Sequence, residues 1–428
     1  MSLSKKINLV LNGIVVGLFL CSSFGMAQEL FETVVLGDIE GQWDRLESFV
    51  QGNKAFSRDA NGQIKLNPGY RFVFMGDAVD KGKSSLRILS TLLNLKESYP
   101  NRVTLILGNR DINKLRLPHE LSEESLKAIP GVDGPTHLKW ILKETMGAPK
   151  AFEYRRQELS ETLNQPVTDL DVLKSFLDDF DPVRGIMTRY LKASQLIFRD
   201  AANKTLFVHG GLTSEAFGRI PGVSDHVADL ATWIQNLNQW DQNSIVEGIE
   251  TKNGSPQLVQ YQNPLPGTVA NQESIVYARN FDLSANPEMI PEALQEELLR
   301  QGIETLVVGH TPVGEIPVII SNGRFRIIFV DNSMSSQNGS AHVSLKGGTL
   351  EVIAKSPQPE FGPIIHYKHS LSHPSVLGTR NGNGLIVGVS KDKVLSFHVD
   401  KDNGFKTEYT VLPFTGYWLG QCWGLAEF

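Results

Sequence analysis

The feature that most constrains this chain is a series of short apolar runs, each ending abruptly in glycine and a polar ligand-type residue. Thr33-Val34-Val35-Leu36 runs into Gly37-Asp38-Ile39-Glu40-Gly41, Arg71 to Met75 into Gly76-Asp77-Ala78-Val79-Asp80-Lys81-Gly82, and Val103 to Leu107 into Gly108-Asn109-Arg110-Asp111. Thr205 to Val208 meets His209-Gly210-Gly211, and Glu304 to Val308 meets Gly309-His310-Thr311-Pro312. Apolar runs of this length bounded by glycine read as buried strands. Trp43 to Val50 and Ser84 to Lys96, with apolar residues at three-and-four spacing, read as helices. This order implies an α/β fold whose functional groups gather beyond the strand ends.

The pattern changes between Leu115 and Asp200, where Ser122 to Ile129, His137 to Thr145, Ala151 to Leu163, Asp169 to Phe180 and Val183 to Arg199 carry helical spacing without strands. This helical insertion is expected over 115–200, either as a wall or lid of the site or as a bundle that only stabilises the domain. Phe325 to Val330, ending at Asp331, continues the sheet, and 356–428 is expected to be a β-rich extension with strands at Leu385 to Val389, Val394 to Val399 and Phe405 to Leu412. Asp59-Ala60-Asn61-Gly62 and Asp400 to Gly404 read as hairpin turns rather than calcium loops. His366, His369 and His373 read as a solvated loop rather than a metal site.

Five strand ends thus deliver Asp38 and Glu40, Asp77 and Asp80, Asn109, His209 and His310. Carboxylate and amide oxygens with two imidazoles suit a pair of divalent cations, which together can clamp a phosphoryl group and generate a hydroxide nucleophile at neutral pH.

In order and context these motifs resemble those of the calcineurin-like metallophosphoesterases, specifically the phosphoprotein phosphatase branch. The family forms GDxHG, GDxxDRG, GNHE, HGG and GH correspond to GDIEG (37–41), GDAVDKG (76–82), GNRD (108–111), HGG (209–211) and GHTP (309–312), across roughly Glu32 to Ile353. The resemblance implies a metallophosphoesterase-type β-sandwich flanked by helices over 28–355. It also implies two divalent metal ions, Mn foremost with Fe, Zn or Mg as alternatives. Asp38, Glu40 and Asp77 would hold the first, and Asp77, Asn109, His209 and His310 the second. Lys81 and Arg279 would contact phosphate, and the substrate would be a phosphorylated protein or a small phosphomonoester.

Three departures from the family matter. Glu40 stands where the family has a metal-binding histidine, Lys81 where it has a phosphate-binding arginine, and Arg110 where it has the histidine that protonates the leaving group. Arginine keeps its proton, with a pKa above about 12, so Arg110 is a poor acid and is expected to pair with Asp80 or bind a phosphate oxygen. A serine or threonine alkoxide would then depart unassisted, whereas a tyrosine phenolate, with a parent pKa of about 10, needs far less help. Aryl phosphates, phosphotyrosine included, are therefore the expected substrates. Asp111 and His119 are the nearest alternative acids. Rival readings are a phosphodiesterase or nucleotide pyrophosphatase of the same superfamily and a catalytically inactive module that binds phosphorylated ligands.

The net charge of −6 argues against a nucleic-acid partner. Lys5 and Lys6, the apolar run Ile7 to Leu20 and Gly25-Met26-Ala27 read as a signal peptide over 1–27, giving an exported, periplasmic or secreted protein without stable membrane insertion after cleavage. Cleavage would remove Cys21 and leave Cys422 as a lone thiol.

Overall fold

The computed structural model describes residues 29–128, 131–282, 285–333, 341–373, 375–382, 384–390, 392–400 and 406–414. The expected signal peptide, both cysteines and residues 401–404 of the expected C-terminal hairpin turn lie outside the described residues. No helix among the described residues is long and apolar enough to cross a membrane.

Two sheets form the centre. The first runs Ile364–Ser370, Thr349–Lys355, His342–Lys346, Glu32–Leu36, Tyr70–Phe74, Val103–Leu105, and its last three strands are parallel. The second runs Ile197–Asp200, Thr205–Val208, Thr305–Val308, Arg326–Phe329, Val318–Ser321, with a parallel trio in the middle. The reason the central strands are apolar on successive residues at their C-terminal ends is visible in how their side chains divide. Val35, Val73, Val307 and Ile328 point into a shared layer between the sheets, while Val34, Leu36, Phe72, Phe74, Leu306, Val308, Ile327 and Phe329 join the core on the outer faces. With side chains alternating at period two and both faces covered, every position on these strands beyond the first residues Glu32 and Tyr70 is buried.

The helices Trp43–Gln51 and Ser85–Ser98 cross between the parallel strands of the first sheet, as their spacing predicts. The insertion is helical at Glu123–Lys127, Gly134–Trp140, Ala151–Leu163, Asp169–Asp178 and Ile186–Ala193. Its last expected helix stops short. Ile197–Asp200 is instead a strand, paired antiparallel with Thr205–Val208 across a tight turn in which Lys204 has φ +50°. The segment between the HGG and GHTP motifs contains the long helix Leu230–Glu250, which the sequence reading left unassigned.

The histidine trio is corrected by the structure. His366 and His369 lie on the strand Ile364–Ser370, which pairs with Thr349–Lys355 across the expected boundary at 355–356. Only His373 is in an exposed turn. His369 is buried because it joins the two sheets. The fully buried Arg326 donates from Nη1 to the His369 carbonyl at 3.0 Å and its ring Nδ1 at 3.3 Å, from Nη2 to the Gly348 carbonyl at 2.9 Å, and from Nε to Thr305 Oγ1 at 2.9 Å. A second buried junction pairs Arg71 Nη1 with Asp200 Oδ1 at 2.9 Å, while Thr33 Oγ1 donates to Asp200 Oδ2 at 2.6 Å. Beyond these sheets, Arg380–Asn381, Gly384–Val389, Lys393–Asp400 and Lys406–Pro413 form the separate C-terminal sheet.

Burial, reinforced by the Arg326 charge, lowers the His369 pKa from its ordinary 6.5 to about 4. Between those values the unfolded chain takes up a proton that the folded chain refuses. This contribution to stability is therefore complete above about pH 6.5 and is lost as the pH falls toward 4. Urea denaturation is expected to show a smaller loss of stability between about pH 7 and about pH 5 for His369→Gln than for the wild type. Equal losses would mean that His369 does not carry this dependence.

Candidate metal and phosphate site

The parallel strands of both sheets end at the same edge, and there the local backbone is unusual. Glu40, Asp77, Asp80 and His310 have φ of +48°, +54°, +99° and +66°. Non-glycine residues rarely occupy this left-handed region, and clusters of them mark sites where surrounding contacts over-determine the geometry. The motif glycines meet a different demand, that of close approach. A Cβ on Gly108 would lie 2.1 Å from Asp77 Oδ1, and one on Gly309 would lie 2.6 Å from Asp38 Oδ1.

Asp111 organises the strand ends. Fully buried, its Oδ2 accepts from the backbone N–H of Asp77 and of Gly108, and its Oδ1 from that of Ala78, each at 2.9 Å. It therefore braces the Asp77 and Asn109 loops against each other. Its pKa is raised to about 7 by burial and by the Asp77 charge.

Asp38, Asp77 and His209 present ligand atoms within 4.8 Å of one another. His209 Nε2 is 3.4 Å from Asp77 Oδ1 and 3.2 Å from Asn109 Oδ1, and His310 Nδ1 is 2.9 Å from the same Asn109 oxygen. The other His209 nitrogen, Nδ1, sits 2.7 Å from the Met75 carbonyl oxygen, which fixes the ring and leaves Nε2 facing the cluster. Burial lowers the pKa of both histidines, for His209 against the opposing pull of Asp77 and for His310 with help from the Arg279 charge. Asp38 is pushed well up by burial and then by Asp331, Asp77 and Glu40. Asp331, just past the strand Arg326–Phe329, is fully buried, and its pKa is raised to about 6 by burial with Glu40 beside it.

The structure thus brings Asp38, Asp77, Asn109, His209 and His310 together. It treats the three departures as a connected set. Glu40 Oε1 accepts from Lys81 Nζ at 2.6 Å and from Arg110 Nε at 2.8 Å, while its Oε2 is buried without a hydrogen-bond partner. The expected Arg110–Asp80 ion pair is present but is the longest contact of the set. Arg110 Nη1 stands 3.9 Å from Asp80 Oδ2, because Glu40 lies closer and because Lys114 Nζ already occupies that oxygen at 2.5 Å. Burial opposes the Arg110 charge, but Glu40, Asp77 and Asp80 outweigh it and raise its pKa. Lys114 is lowered by burial, with Asp80 working the other way. Sequence reasoning missed Lys114, and its only signal was a lysine one turn past the GNRD motif. Arg279 is half-buried at the rim, donating from Nη1 to Thr311 Oγ1 at 2.9 Å and from Nε to the Val269 carbonyl at 3.1 Å. Its neighbour Tyr277 packs on the His310 ring, with centroids 4.5 Å apart. Neither alternative acid is suitably placed, since Asp111 is consumed by backbone N–H groups and His119 is exposed on the short helix Leu117–Glu120.

The sequence pattern of the calcineurin-like phosphoesterases matches residues 31–314. The chain belongs to that family. It is similar to the serine/threonine-protein phosphatase 6 catalytic subunit of Drosophila melanogaster, with 33% identity over 100 residues, 23% of this chain and 29% of the relative. It is also similar to serine/threonine-protein phosphatase SIT4 of Candida albicans, with 38% identity over 93 residues, 22% of this chain and 27% of the relative. The aligned stretch spans less than a third of either relative's length. Among solved structures, a cold-active protein-tyrosine phosphatase of a psychrophilic Shewanella superposes with a TM-score of 0.46 at 18% identity, covering 76% of this chain and 77% of that one. The resemblance to this family and the α/β architecture are borne out.

Replacing Asp111 by Asn puts an amide N–H against backbone N–H donors. Asp111→Asn is expected to lose about 2–3 kcal/mol of stability, and to weaken Mn binding because the Asp77 and Asn109 loops are no longer held together. Chemical denaturation and calorimetric Mn titration check both parts, and unchanged Mn affinity would refute the second.

Proposed function

We propose that this protein is a metal-dependent phosphomonoesterase that favours aryl phosphates, phosphotyrosine in proteins included. The observation that carries this reading is the convergence of Asp38, Asp77, Asn109, His209 and His310 beside three cationic side chains, with the non-titrating Arg110 rather than an acid next to the cluster among the described residues. The residues fit divalent cations. The donors are carboxylate and amide oxygens with imidazole nitrogens, and both Glu40 Oε2 and His310 Nε2 are buried without partners. Asp38, Glu40 and Asp77 would hold one ion and Asp77, Asn109, His209 and His310 the other, with Mn favoured by the oxygen-rich first set. When bound, such ions neutralise phosphoryl charge and lower the pKa of water to near neutrality.

The remaining work falls to the chain's own groups. Lys81, Arg110 and Arg279 supply donors for the non-bridging phosphate oxygens, where charge accumulates in the transition state. Lys81 and Arg110 share Glu40, so each has other donor hydrogens to offer a substrate. Because Arg110 keeps its proton and Asp80 is held by Lys114, the leaving oxygen departs on its own basicity. That favours a phenolate over an alkoxide.

With Mn, the protein is expected to hydrolyse p-nitrophenyl phosphate and a phosphotyrosine peptide, and to act on a matched phosphoserine peptide at least about tenfold more slowly. Chelation should abolish turnover and added Mn should restore it. Equal peptide rates would sink the leaving-group argument, and faster hydrolysis of the bis-ester than of the monoester would favour a diesterase. Arg110→His, which offers a proton donor, is expected to narrow the tyrosine-to-serine ratio more than it alters the rate on p-nitrophenyl phosphate. An unchanged ratio would mean that the leaving group is assisted from elsewhere.

A further inference from the structure

The helical insertion reaches the site through residues outside the matched motifs. The segment Ile141–Thr145 is a π-helical turn, a form often found at functional sites, and Gly147 just beyond has φ +58°. Between them, the Met146 carbonyl accepts from Arg110 Nη1 at 3.1 Å, and Met146 Sδ lies 3.0 Å from Lys114 Nζ. Lys114 and Asp80 are each 3% exposed in their side chains, so their ion pair is effectively out of water. Behind it is a cavity of about 10 Å³, lined by Asp80, Ser85 and Lys114 from the core and by Arg155 and Asp179 from the insertion. Arg155 and Asp179 are themselves paired at 2.8 Å. One turn after Arg155, Glu158 accepts from the backbone N–H of Leu86 and Arg87. It thereby serves the helix Ser85–Ser98, whose N-cap Ser84 makes no side-chain bond.

We propose that Lys114 is a positioning residue through which the insertion fixes Arg110: by saturating Asp80, it leaves the guanidinium on Glu40 and Met146, with Nη2 as the donor left for a phosphate oxygen. The inference rests on the proposed phosphate-binding role of Arg110. A buried carboxylate deprived of its partner is strongly unfavourable. Without Lys114, the guanidinium 3.9 Å away is the remaining cation within ion-pair distance of Asp80, and closing that gap would draw it from Glu40. The insertion then acts as a brace on the phosphate-binding side of the site.

The test compares Lys114→Met, Lys114→Arg and the double variant Asp80→Asn with Lys114→Met, in the Mn-loaded full chain. The readouts are calorimetric affinity for inorganic orthophosphate, kcat and KM for phenyl phosphate, and thermal stability. Lys114→Met is expected to weaken orthophosphate binding about tenfold and to raise KM, as an arginine fork leaves its oxyanion. Lys114→Arg, which retains the charge, should lose less. The double variant, with no unpaired carboxylate, should bind orthophosphate at least about fivefold more tightly than Lys114→Met. It also provides the reading if the single variant does not fold. Wild-type affinity in Lys114→Met, or a double variant no better than the single one, would overturn the inference and assign Lys114 to stability alone. A wild type that binds orthophosphate yet hydrolyses no ester would refute the proposed hydrolysis, while the affinity comparison would still decide the role of Lys114. Absence of orthophosphate binding in the wild type would overturn both.

Discussion

Asp38, Glu40, Asp77 and Asp331 are all buried at one edge of the sandwich, where the carboxylates around Asp38 and Asp331 add to the cost that burial sets on ionising those two. Charge of one sign out of water has to be answered by nearby cations or by bound ions, and much of the local structure is such an answer. Lys81 and Arg110 converge on Glu40, Lys114 pairs with Asp80, and Arg279 stands at the rim near His310. Backbone geometry serves the same end, since Asp111 spends its carboxylate on N–H groups that hold two of the loops in register.

Within that constraint, the exchanges of histidine for Glu40 and for Arg110 compensate one another. Each alone would leave the site with an extra charge, whereas the 2.8 Å contact between them balances one against the other. Asp80, which a histidine at position 110 would engage, is then free to be taken by Lys114. On the proposed reading, a fixed cation stands where the family resemblance would place a catalytic acid. That exchange, on the same reading, narrows the chemistry toward esters whose leaving groups need no proton.

Much of the architecture was legible from local pattern. Runs such as Val34 to Leu36 and Leu206 to Val208 are apolar throughout because they are covered on both faces, and that requirement writes itself into sequence as an unbroken apolar stretch in place of alternation. The helices Trp43–Gln51 and Ala151–Leu163 were similarly plain in their spacing. Ile197–Asp200 was not, because a four-residue strand following a helix carries too little periodicity to separate it from a last helical turn. His366 and His369 resembled a loop for a related reason, in that a strand facing water on alternate residues looks polar, and the burial of His369 depends on Arg326 from 43 positions away.

By itself, the sequence determined which residues stand at the strand ends and that they are of metal-ligating and phosphate-binding types, because a buried strand fixes where its own C-terminus opens. It also determined that Arg110 cannot act as an acid, which follows from the guanidinium alone. Tertiary structure decided the partners. Whether Arg110 meets Asp80 or Glu40 depends on separations of about an ångström between loops distant in the chain, and on Lys114 being present to compete. Pairing among buried charges is set by distance and desolvation together, and neither is encoded in the spacing of residues along a chain.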